Sequence, residues 1–105
     1  MEQSYSLSHQ RRTYDRFIIE GSATVVTEND LEIPSILKDV STRGAGIVSN
    51  YPLTVNKEIG IFINPCPLVK SQTYRRARVA WSEKINDNLY GSGLDFGLFN
   101  QLKFT

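Results

Sequence analysis

One cysteine, one histidine and one tryptophan occur among the 105 residues, and each scarcity closes off a class of function. Cys66 stands alone between Pro65 and Pro67, so no disulfide can form within the chain, which fits a reducing compartment. His9 and Cys66 make no metal-ligand spacing, and the acidic turn around Glu28, Asp30 and Glu32 lacks the oxygen-rich loop of a calcium site. A Ser-His or Cys-His nucleophile would have to recruit His9 from a polar leading segment, so catalysis is not expected. No apolar run is long enough to span a bilayer, and the first residues, MEQSYSLSHQ, lack the apolar stretch of an export signal. Neither sign of charge dominates. Twelve Lys and Arg against eleven Asp and Glu leave a net charge of +1, too balanced for general attraction to nucleic acid or anionic lipid. The expectation is a soluble cytoplasmic protein with no cofactor, no membrane insertion and no nucleic-acid partner.

A sustained period of 3.6 is also missing, which removes the helical fold classes. What is present is a series of β-branched and aromatic stretches punctuated by Pro, Asn and Gly. FIIEGSATVVT, interrupted at Gly21, reads as a first strand. After the turn signal at Glu28, Asn29 and Asp30, NDLEIPSILKDVS reads as a second, with Pro34 marking a bulge or an edge. GAGIVSN is a third and KEIGIFIN a fourth, with Ile59, Ile61 and Ile63 on one face. SQTYRRARVAWSE is a longer fifth, and NLYGSGLDFGLF follows the turn INDN as the sixth. Six short strands predict an all-β fold, a six-stranded antiparallel β-barrel that leaves few open edges. The expected division is a flexible N-terminal arm over residues 1–9 and a single barrel domain over residues 10–105, closing with at most one short helical turn in LFNQLKFT. The barrel is expected to be a monomer or a weak dimer.

Fixed positive charge is concentrated where the arm meets the first strand, in QRRTYDRF. An arginine presents five donors in a rigid fork, which matches phosphate oxygens, pairs with guanine O6 and N7, and stacks on bases. Arg11, Arg12 and Arg16 therefore suit a phosphorylated guanine ligand, against the plain alternative of a solvated basic junction. A second half of such a site lies in DVSTRG, at the end of the second strand. On an extended segment Asp39 and Ser41 project to one face, and Gly44 permits a positive φ or a close backbone approach. A carboxylate can accept from guanine N1–H and N2–H, while a hydroxyl and turn amides can receive phosphate or base edges. The ordinary roles of Asp39 and Ser41 in turns are an Asx acceptor and a local backbone bond.

The paired motifs R-x-x-x-R (Arg12 to Arg16, preceded by Arg11) and D-x-S-x-x-G (Asp39, Ser41, Gly44) resemble those of the PilZ domain family. The likeness runs from about Gln10 to Phe99 and takes in VAWS and YGSGLDF, with Tyr90, Gly93 and Phe96 in register with the family pattern. The resemblance implies a β-barrel receptor for the second messenger cyclic di-GMP, an arginine arm that closes over the ligand, and an unidentified downstream protein that reads the result. Two other classes stand beside it: an interaction barrel whose arginines serve an acidic protein surface, and a small single-stranded nucleic-acid binder.

Strand parity divides the second basic run, YRRARVAW. Arg75, Ala77, Val79 and Trp81 share one face, taken as inward beyond its first residue, which leaves Arg76 and Arg78 outward as a solvated face or a secondary phosphate contact. Trp81 fits the core by parity, and a guanine-stacking platform if it lies at the barrel rim.

Overall fold

The computed structural model of the chain describes residues 17–66 and 69–97, with residues 17–20 given by their backbone alone. The arm at residues 1–9, the three arginines Arg11, Arg12 and Arg16, and the helical turn expected in LFNQLKFT lie outside the described residues. Every regular element among the described residues is a strand: β1 (Phe17–Val26), β2 (Glu32–Val40), β3 (Gly44–Ser49), β4 (Glu58–Ile63), β5 (Thr73–Asn86) and β6 (Leu89–Asp95). All pair antiparallel, in the closed order β1-β2-β3-β6-β5-β4, with β4 returning to β1. Closure gives every strand a neighbour on each side over part of its length.

Period-two alternation sends Ile33 and Leu37 of β2 and Ile59, Ile61 and Ile63 of β4 into the barrel, where they meet Val25, Val40, Ile47, Val79 and Leu94. The β1–β2 reversal sits at the expected turn: Asp30 takes a φ of 64°, its amide donates to the Thr27 carbonyl, and the Leu31 amide donates to Thr27 Oγ1. Pro34 faces Thr24 of β1, one position beyond the last β2–β3 pair, Ser35 with Ser49. It therefore occupies a stretch with a neighbour on one side only, where a missing N–H costs least.

Two bulges reorient the side chains that matter most. On β2, Leu37 pairs with Ile47 and Asp39 with Gly46, so Lys38 is an extra residue. On β5, Val79 pairs with Leu94 and Trp81 with Gly93, so Ala80 is extra. An inserted residue exchanges the inward and outward faces of the chain that follows. Simple parity predicts an inward Trp81. The structure corrects this: the bulge turns its indole outward, 41% exposed.

Candidate functional site

The second motif is a tight reversal between β2 and β3. The Ser41 amide donates to the Gly44 carbonyl at 2.8 Å, and the Arg43 amide donates to Ser41 Oγ at 3.2 Å. Ser41 has no exposed surface, and its hydroxyl lies 3.5 Å from the Gly44 carbonyl, which accepts from it. This departs from the expectation that Asp39 and Ser41 project together, because β2 ends at Val40 and the chain curls inward at Ser41. Ser41 thus shapes the loop from within, while Asp39 stays on the outer face, half-buried. Gly44 serves close approach rather than positive φ: it pairs with Asp95, and a Cβ there would collide with the Leu94 carbonyl oxygen.

The registers of three strand pairs place four outer-face positions in one row across the barrel wall. Asp39 pairs with Gly46, Gly46 with Gly93, and Gly93 with Trp81. Three strand spacings separate the ends of that row, about 14 Å at the backbone. Both ends lean over the glycines between them. A Cβ on Gly46 would stand 2.8 Å from Asp39 Oδ1, and one on Gly93 would strike the Trp81 indole at Nε1. The result is a shallow shelf with a carboxylate at one end and an indole at the other, each side chain covering one of the two buried glycines. A flat base could lie on such a shelf with its edge toward the carboxylate and its face toward the indole.

The next row of the outer face holds Gly44, Asp95 and Arg78. Arg78 Nη2 lies 3.1 Å from Asp95 Oδ2, with both side chains about half exposed. Arg76 instead reaches across to the strand on the other side, to Glu58 of β4. The two arginines, equivalent by parity, belong to different neighbourhoods.

The β1–β2 register supplies the last part of the geometry. Phe17 pairs with Val40 and Ile18 with Asp39, so the chain enters the barrel directly beside the second motif. In the sequence Arg16 immediately precedes Phe17. The structure therefore brings Asp39, Gly44 and Trp81 to one region of the wall, with Ser41 beneath it.

Sequence reasoning named Gly93 only as part of the family pattern and missed what Gly46 and Gly93 do together, which is to let Asp39 and Trp81 lie against the wall. Gly46 and Gly93 carry no chemistry of their own, and the available signal was a glycine inside a strand, which marks a place where something approaches closely. Among the described residues no group of His, Cys, Asp and Glu could hold a metal, and no helix is long and apolar enough to cross a membrane. Comparison with curated proteins finds no match. Comparison with protein families does: the PilZ domain matches residues 10–102, most of the chain.

Proposed function

The chain belongs to the PilZ domain family, a family of cyclic di-GMP-binding domains, and from that premise we propose that it is a cyclic di-GMP receptor that acts by binding and not by catalysis. Arg11, Arg12 and Arg16 grip the phosphates and the O6 and N7 edges of guanine. Asp39 accepts from a guanine N1–H and N2–H, and Trp81 offers its indole as a stacking surface. Ser41 and Gly44 act through the turn that holds Asp39 in place. The observation that carries this reading is the pairing of Ile18 with Asp39, which puts the start of β1 beside the acceptor half of the site; the arginine motif directly precedes β1 in the sequence.

Binding draws the residues before Phe17 onto the barrel and so changes the surface offered to a downstream protein. Each residue ordered costs roughly 1–2 kcal/mol of backbone entropy, so several charge-assisted bonds to the anionic ligand are needed to clamp even a short stretch. Gln10 to Arg16 is a stretch of that size.

Calorimetric titration with cyclic di-GMP, with GTP and the linear dinucleotide as controls, tests the proposal. Saturable heat with the cyclic ligand alone is expected. An equal response to GTP, or no response to cyclic di-GMP, would return the protein to the class of interaction barrels.

A further inference from the structure

On the β1–β4–β5 side of the barrel lies a second surface with a cleft that the ligand reading leaves unused. Thr24, Phe62 and Tyr74 are register neighbours there, with Pro34 next in the row on β2. Phe62 and Tyr74 are 37% and 46% exposed, and their ring centroids stand 4.8 Å apart in a tilted pair. In the adjoining row Val26 pairs with Gly60 and Gly60 with Arg76. The Tyr74 ring lies over buried Gly60, in the place a side chain there would take. Beside it is a cleft of about 240 Å³, with Tyr74 as one wall. That is smaller than the roughly 300–1,000 Å³ typical of small-molecule sites, and it suits one long side chain.

The charge of the cleft is specific. Glu28, Asp30 and Glu58 line it, against the single guanidinium of Arg76. Arg76 is already held by Glu58, and Glu28 has Lys57 at 3.3 Å, so the cleft still carries net negative charge toward the β1–β2 turn, where Asp30 sits. An aromatic wall beside carboxylates favours a cation: the ring face attracts it and the carboxylates accept its hydrogens. Exposed Tyr and Phe beside the cleft add the apolar contact typical of protein interfaces. At this face β1, β4 and β5 are already hydrogen-bonded to one another, so a partner lying across it is recognised through side chains.

We propose that this face docks an extended segment of a partner protein that places a Lys or Arg side chain in the Gly60 cleft and an apolar side chain against Phe62 and Tyr74. Gly60 and Phe62 are two residues apart on one strand face, and alternate residues of an extended peptide have the same spacing, so the recognised pattern is basic-x-apolar. The surface is separate from the shelf, so partner docking and nucleotide binding can occur on one molecule at once.

The test is a heteronuclear NMR titration of the labelled full chain with the blocked peptide acetyl-SRTLTS-amide, against acetyl-SETLTS-amide and acetyl-SATLTS-amide. Saturable shifts confined to residues near 26–30, 58–62 and 74–76, strongest for the Arg peptide, are expected. Tyr74→Ala and Asp30→Asn should each weaken binding, the first by roughly fivefold, the size of a lost cation–π contact. Both positions are exposed, and a cyclic di-GMP titration of each variant should match the parent. No saturable shift up to roughly 10 mM peptide, or equal shifts with the Glu peptide, overturns the proposal. A parent protein that fails to bind cyclic di-GMP yet shows the localised peptide shifts would overturn only the nucleotide reading.

Discussion

Trp81 stands on the backbone of Gly93: the two are register partners across β5 and β6, and a Cβ on Gly93 would meet indole Nε1 well inside contact distance. The indole is on the outside only because Ala80 is an extra residue in β5. Its position therefore depends on two features, the bulge that turns it outward and the glycine that lets it lie down.

Gly93→Ala should lift Trp81 off the wall. The expected result is a shift in tryptophan fluorescence, weaker cyclic di-GMP binding, and a stability loss of about 1–3 kcal/mol from the forced rearrangement. Because Trp81 is the single tryptophan, the emission reports this site alone. An unchanged spectrum with unchanged affinity would show that the indole takes no part.

Arg12→Ala and Arg16→Ala should weaken nucleotide binding strongly and leave the thermal midpoint nearly unchanged, as expected of charges that serve the ligand and not the fold. Arg76→Ala should leave nucleotide binding intact, because its partner Glu58 lies on the side of β5 away from the shelf. Arg78→Ala, one row from Trp81, should have a modest effect at most, and its ion pair with Asp95 is worth ~1 kcal/mol or less. Calorimetry and thermal melts on the four variants separate these outcomes. A binding loss at Arg76 and none at Arg12 would put the site on the wrong strand.

Asp39 and Ser41 belong to one motif but should fail differently. Ser41→Ala removes a buried hydroxyl that the turn uses and should cost about 1–3 kcal/mol of stability, read by denaturant titration. Asp39→Asn keeps the shape over Gly46 but replaces part of the acceptor edge with a donor, so affinity should fall with little change in melting. The opposite pattern would mean that Ser41 touches ligand and Asp39 holds the fold.

Cyclic di-AMP should bind more weakly than cyclic di-GMP by about 1–3 kcal/mol for each mismatched base, since Arg and Asp forks read guanine edges directionally. Hydrogen exchange with cyclic di-GMP should show new protection at residues 10–16 and 39–44, the two motif stretches of the proposed site. Tight binding without protection in the arm would remove the arm from the mechanism.

The local sequence determined the strands. Alternation in EIGIFI buries Ile59, Ile61 and Ile63, the turn residues around Asp30 close a hairpin, and the two motifs stand in order because backbone preference and side-chain parity act over a few neighbours. Tertiary structure alone decided which face several of those side chains occupy. The extra residues at Lys38 and Ala80 exist only relative to a partner strand, and that partner's register is set by closing the whole ring, β4 back onto β1. The row from Asp39 through Gly46 and Gly93 to Trp81 draws on four strands, and the parting of Arg76 from Arg78 depends on which neighbour each finds. Both belong to long-range pairing, on which single-strand parity is silent.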